Sequence, residues 1–155
     1  MLTQWAIRWQ IPLQAVEELR YMMGVGAPHP TGSIPEGASE SAVQSAVRLE
    51  AARRGARVFR NNSGVAMEDK RVIRYGLMND SAKVNAVCKS SELIGITPVV
   101  CKCGHTHGVF TAIECKRPGW VFRESDQRAV AQLNFINLIV SLGGIGKFVT
   151  SVEGY

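Results

Sequence analysis

Two apolar segments, Glu92–Val100 and Phe110–Lys116, flank the short polar run Cys101–Gly108. They constrain the fold more than any other stretch of the chain, because such a pattern reads as a β-hairpin. The second segment, Phe-Thr-Ala-Ile-Glu-Cys-Lys, carries a carboxylate and an ammonium two residues apart. Side chains alternate along a strand, so Glu114 and Lys116 share a face, roughly 6–7 Å apart. Charges on an otherwise apolar strand are costly unless they are paired or bind a metal. A Glu-x-Lys pair suits a divalent-cation site, with the carboxylate as ligand and the lysine positioning a water or balancing phosphate charge. If Val100 pairs near Gly108, Glu92 falls near Lys116 and diagonal to Glu114. Two carboxylates and the Cys115 backbone carbonyl then match Mg²⁺, which takes a few carboxylates plus waters and phosphate oxygens.

Helical patterns lie on either side of the hairpin. Asp126–Leu142 reads as a helix, with Ser125 as N-cap and Gly143-Gly144 as terminator. Gln127, Asn134, Asn137 and Ser141 form its solvent stripe, and Gln132 falls among Val130, Leu133, Ile136 and Ile139. A buried amide needs partners, which a catalytic centre or a sheet-edge carbonyl would supply. Upstream, Glu40–Arg54 reads as a helix capped by Ser39 and stopped at Gly55. Its two acids, Glu40 and Glu50, lie about 15 Å apart along the axis and on different faces. Glu50 can pair with Arg53 or Arg54 as a surface acid. Glu40 gains from the helix dipole in the first turn.

Between helix and hairpin, Arg57–Arg60 reads as a strand, Asn61–Gly64 as a turn and Arg71–Tyr75 as the returning strand. Asn62 and Ser63, beside arginines, either contact phosphates or simply form the turn. Gly76–Lys89 reads as a polar loop, and Ile145–Ser151 as a last strand. The expected fold is α/β, a central mixed sheet flanked by helices 40–54 and 126–142.

A chain of 155 residues suits one core domain and can bury about 70% of its unfolded surface. The formal net charge of +5 favours a polyanionic partner. Arg53, Arg54, Arg57, Arg60, Lys70, Arg71 and Arg74 cluster, followed by Lys116, Arg117, Arg123 and Arg128. Neutralising phosphates with such groups makes binding salt-sensitive. No apolar run reaches the ~20 residues of a membrane span, and no secretory pattern opens the chain, so a cytoplasmic protein is expected. Residues 1–38 read as two short helices broken at Pro12, then a Gly/Pro-rich linker; this arm docks on its own core, a second subunit or a partner. Without a secretory signal, Cys88, Cys101, Cys103 and Cys115 are expected to be reduced thiols. The run Cys101-Lys-Cys103-Gly-His105-Thr-His107 offers four soft ligands for a structural Zn²⁺, or is simply a polar hairpin tip.

Taken in order, the motifs are a helix with Glu, Arg-Asn-Asn-Ser-Gly, Ser-Ser-Glu-Leu-Ile-Gly, Ile-Glu-x-Lys, and a Gln-bearing helix ending in Gly-Gly. Over residues 39–153 this order resembles a stand-alone VRR-NUC (virus-type replication-repair nuclease) domain of phage or prophage type, within the PD-(D/E)xK nuclease superfamily. The resemblance implies a restriction-endonuclease-like core over residues 39–155 and metal-dependent hydrolysis of DNA phosphodiesters. It places the helix acid at Glu40, the strand acid at Glu92, the Glu-x-Lys at Glu114 and Lys116, and the helix glutamine at Gln132. Position 92 departs from the family, which usually has Asp. One or two Mg²⁺ or Mn²⁺ ions would be held by Glu92, Glu114 and the Cys115 carbonyl with help from Glu40. Lys116 would orient water or stabilise the transition state, and Gln132 would fix Lys116. Arg57, Arg60, Asn62, Arg71, Arg74 and Arg117 are the candidate DNA contacts. Similar small members act as Holliday junction resolvases, homodimers on four-way DNA in a phage-infected bacterial cell. A less selective nickase or flap nuclease is the alternative among enzymes, and a catalytically decayed DNA-binding protein the alternative outside them.

Overall fold

The first helix, α1 (Glu40–Arg53), starts where expected: the Ser39 hydroxyl accepts the Ala42 backbone N–H at 3.2 Å. Val43, Val47 and Ala51 recur every four residues and form its buried stripe. Gly55, at φ 84°, turns the chain out of the helix through the left-handed region that favours glycine. The computed structural model describes residues 6–12, 15, 34–69 and 71–155. Among these, no helix is long and apolar enough to cross a membrane.

Glu50 lies on the outer side of α1, where Arg53 and Arg54 bond it at 2.7 and 2.6 Å. The Arg53 hydrogen bond is the largest influence holding its carboxyl down at about 2. A depressed carboxyl stabilises the fold above its unfolded value, 4.5, and that contribution is lost as pH falls through about 2. Glu50→Gln should therefore cost about 0.5–1 kcal/mol at pH 7. The difference from wild type should close as pH falls from 4.5 toward 2. Thermal melts across that range would check it, and a pH-independent loss would dismiss an ionic origin.

Four strands form the central sheet in the order β1 (Arg57–Arg60), β4 (Leu93–Val100), β5 (Thr106–Cys115), β6 (Ile145–Val149). The β1–β4 and β4–β5 pairs are antiparallel and β5–β6 is parallel, so the sheet is mixed. A parallel neighbour needs a crossover, and α3 (Gln127–Ser141) supplies it. Alternation along β5 divides the two layers. Ile113 and Cys115 join Val43, Val47, Ala51, Val58, Leu93 and Val149 in the core beneath α1. Glu114 faces α3 through Gln132. On that side, a Cβ at Gly146 would press on Ile136 of α3, so glycine there permits the close helix–sheet approach. With both faces covered, residues 111–115 are buried without a break.

Several expected details change. The β4–β5 connection is five residues, 101–105, because Thr106–Gly108 extend the strand rather than the turn. Val100 pairs with Thr106 and Leu93 with Ile113, which sets Glu92 level with Glu114 instead of diagonal to it. Strand β1 does not return to Arg71–Tyr75; it pairs with β4. The 71–75 segment is β3, and it pairs with a strand that was not expected, β2 (Gly64–Glu68). Two residues separate β2 from β3, and the first, Asp69, sits at φ 44°, as two-residue hairpins favour. The expected loop 76–89 contains a short helix, α2 (Ala82–Val87), capped by the Ser81 hydroxyl. Asp126, not Ser125, caps α3: its Oδ1 accepts the N–H groups of Arg128 and Ala129, a stronger acceptor than a hydroxyl. Cys101 and Cys103 form a disulfide in place of the expected thiols. The turn brings their Cα atoms to 5.3 Å, inside the range a disulfide bridges.

The chain divides into two units, Met1–Gly32 and Ser33–Tyr155. In the first, residues 6–8 are helical, and the Ile11 N–H donates to the Ala6 carbonyl before Pro12. The rest of the expected N-terminal helices and most of the linker lie outside the described residues.

Candidate active site

Strand β5 carries Glu114 into the layer under α3, and Lys116 follows its last residue; both are buried, at 0% and 6% exposure. The Lys116 ammonium donates to Glu114 Oε1 at 3.0 Å and to Gln132 Oε1 at 2.9 Å. The Gln132 amide donates in turn to Glu114 Oε1, closing a three-membered polar triangle. Glu114 Oε2 accepts the backbone N–H of Glu92 at 3.1 Å. Gln132 therefore sits where its helical position requires and finds its partners in the Glu-x-Lys pair rather than in a sheet-edge carbonyl. Burial, the largest influence, pushes the Glu114 carboxyl above its ordinary value. The charge and hydrogen bond of Lys116 pull it back in part, while the charge of Glu92 adds to the rise.

Glu92 is half-buried at the mouth of β4. Its Oε2 accepts the Gln44 amide at 3.2 Å, and its carbonyl accepts the Asn61 N–H at 2.7 Å. Gln44 was absent from the expected set. The signal that would have found it is its position four residues after Glu40, on the same side of α1. Glu40 itself is exposed in the first turn. The three acids meet electrostatically at Cys115, whose thiol is pushed up to about 12 by burial and then by Glu92, Glu114 and Glu40. They do not form a ready three-carboxylate cage. Among the described residues, the only convergent group of three or more His, Cys, Asp or Glu ligand atoms lies at the hairpin tip. Glu114 and Glu92, side by side and both hard oxygen donors, still fit Mg²⁺, which is typically held by one or two carboxylates plus waters and substrate phosphates.

An aromatic wall stands over the lysine. Trp120 and Phe148 stack with centroids 4.9 Å apart, and Phe122 meets Trp120 edge-on at 6.3 Å. Lys116 Nζ lies 5.6 Å from the Trp120 ring centre and 6.0 Å from that of Phe148. Such a wall excludes water and strengthens the ionic contacts behind it. Its sequence signal was the turn at Pro118-Gly119, which folds Trp120 back beside the strand: the Trp120 N–H donates to the Arg117 carbonyl, and Gly119 sits at φ 78°.

The candidate DNA contacts separate into two groups. Arg57, Arg60, Asn62, Arg71 and Arg117 are exposed. Arg57 donates to the Ala52 and Ala56 carbonyls at the end of α1, and half-buried Arg74 donates to Asn79 Oδ1. Asn79 also ties the Gly64 and Tyr75 carbonyls, which gives Arg74 a role in holding the β2–β3 hairpin. Asn61, not Asn62, makes structural bonds, to Ser90 Oγ and the Ser91 carbonyl. Lys70 lies outside the described residues. At the hairpin tip, Cys101, Cys103 and His105 place ligand atoms within 4.8 Å of one another, while His107 stays out of the group. Three of the four side chains expected to converge do so, two of them joined as a disulfide, while His107 belongs to β5, level with Val99.

No protein-family profile, curated protein or solved structure matches this chain.

Proposed function

We propose that this chain is a metal-dependent DNA endonuclease of the VRR-NUC type. The observation that carries the reading is the buried Glu114–Lys116–Gln132 triangle, closed by hydrogen bonds and set beside Glu92. A soluble core has little reason to bury a carboxylate, an ammonium and an amide together unless their chemistry is used.

In this reading Glu114 and Glu92, with the Cys115 carbonyl and the more distant Glu40, hold Mg²⁺ or Mn²⁺. When bound, the ion supplies Lewis-acid polarisation of the phosphodiester and a lower pKa for the attacking water. Lys116 directs its fixed positive charge toward the negative charge that develops on the phosphorus oxygens. Gln132 holds the lysine to one position through Oε1, so no reorganisation is required when the phosphate arrives. Gln44 orients Glu92 in the same way. The aromatic wall keeps bulk water from the lysine, and exposed Arg60, Arg71 and Arg117 supply phosphate contacts consistent with the net charge of +5.

The preferred substrate on this reading is branched DNA, four-way junctions above all, cut by a homodimer in the cytoplasm of a phage-infected bacterium. The test is cleavage of matched four-way junction and linear duplex by the full chain with Mg²⁺, Mn²⁺ or a chelator. Metal-dependent nicking, biased to the junction and weakening steeply with salt, is the expected result. Glu92→Asp should keep activity and Glu92→Gln should lose most of it. Equal activity of the Gln variant would remove Glu92 from the metal site, and no metal-dependent cleavage of any DNA would overturn the reading.

A further inference from the structure

The β4–β5 tip holds a second cluster of reactive side chains that the proposed nuclease chemistry does not use. Thr106 and Glu114 are eight residue steps apart on β5, roughly 27 Å along the strand, so the tip is no part of the buried triangle. The turn is fixed by its own backbone: the Cys101 N–H donates to the His105 carbonyl and the Gly104 N–H to the Cys101 carbonyl, both at 2.9 Å. Gly104 takes φ 83°, a conformation open to glycine and strained for most other residues. This closed turn gathers the two sulfurs, here joined as a disulfide, and one imidazole within 4.8 Å of one another, with His105 Nδ1 3.3 Å from Cys103 Sγ. Cys103 and His105 are exposed and Cys101 half-buried, so the cluster is open to ions and to small thiols.

We infer that this tip is a thiol-gated site for one Zn²⁺ ion: reduced Cys101 and Cys103 with His105 Nδ1 hold the ion, and the Cys101–Cys103 disulfide excludes it. Two thiolates and an imidazole are the donor set a borderline-soft d¹⁰ cation selects over Mg²⁺, with solvent in the fourth tetrahedral position. The disulfide and the ion need the same two sulfurs, so the states are mutually exclusive. Oxidation by a small disulfide such as oxidised glutathione balances as an exchange. The Cys101–Cys103 bond forms, the S–S bond of the small disulfide breaks, and two small thiols leave with the two protons and two electrons. Zinc binding to the reduced tip releases thiol protons instead. The other two cysteines are poor competitors. Cys115 is buried with its thiol pushed up to about 12, and burial also raises Cys88.

The experiment uses the full chain reduced with a phosphine and titrated with Zn²⁺ against a chromophoric chelator, together with a denatured thiol count. One equivalent of zinc is expected on the reduced protein. Cys103→Ser should weaken binding about 100-fold or more, and His105→Ala about tenfold or more. Exposure to oxidised glutathione should lower the count from the four cysteines of the chain to two and abolish uptake. No zinc on the reduced wild type, equal affinity in Cys103→Ser, an unchanged thiol count after glutathione, or uptake that survives the loss of two thiols would each overturn the proposal. Circular dichroism of the variants separates local ligand loss from unfolding, and because zinc content is the readout, the result is independent of whether the chain cleaves DNA.

Discussion

Replacing Lys116 with alanine is expected to destabilise the folded chain by about 3–5 kcal/mol at neutral pH, because it strands a buried charge. Glu114 has 0% exposure and one ammonium within 3.0 Å. Removing that ammonium leaves a carboxylate in the core and deprives Gln132 Oε1 of its donor. Burial already sets the Glu114 carboxyl high, and losing the lysine removes its strongest opposing influence. The folded variant then binds a proton more tightly than the unfolded chain does. Its stability should rise as pH falls toward the ordinary carboxylate value of 4.5 and decline as pH increases. Urea unfolding at pH 5 and pH 8 would show this, with the larger deficit at pH 8. The double variant Glu114→Gln/Lys116→Met, which buries no charge, should recover most of the loss. A deficit below 1 kcal/mol, or one that ignores pH, would mean that the pair is not the buried ionic unit described.

Glu114→Gln, on the nuclease reading, should lower metal-dependent cleavage by about 10²–10³-fold or more while leaving the chain folded. The amide keeps the size of the acid but not its charge. It must also present an N–H either to the Glu92 N–H or to the Lys116 ammonium, two donors facing each other in either orientation. That mismatch, with the buried Lys116 ammonium left without its counter-charge, should cost about 3–5 kcal/mol of stability, a loss that denaturant melts can separate from the loss of activity. On the same reading, protons compete with the cation for Glu114 in the wild type, and its raised carboxyl moves that competition to higher pH. Mg²⁺ affinity should therefore weaken on acidification at a pH above 4.5, measured by titration calorimetry, and the Gln variant should lack that dependence. Cleavage undiminished at position 114 would remove the triangle from the mechanism.

Much of the fold could be read from local signals, and the misses share a cause. Ser39, Gly55 and the apolar spacing of α1 act within a few residues, so the helix was legible to within one residue of its end. The same holds for Glu114 and Lys116, whose two-residue separation leaves no choice of face, and for Gln132, whose place on α3 follows from 100° per residue. Strand partnership is not local. Arg57–Arg60 has the same pattern whether it pairs with Arg71–Tyr75 or with β4, and the choice falls to β4 because Val58 is needed in the core with Leu93 and Val47. Gln44 was missed because its significance depends on Glu92, 48 residues away.

From its own order of residues the chain determines an α/β domain, a hairpin bearing a carboxylate and a lysine on one face, and a following helix with one amide turned inward. These depend on periodicity and capping, which act over a turn or two. Tertiary structure alone decided that Glu92 stands level with Glu114, that one carboxylate oxygen serves both Lys116 and Gln132, and that the hairpin tip gathers three ligand atoms rather than four. Register depends on where the turn begins, and a shift of two residues preserves every face while changing every neighbour.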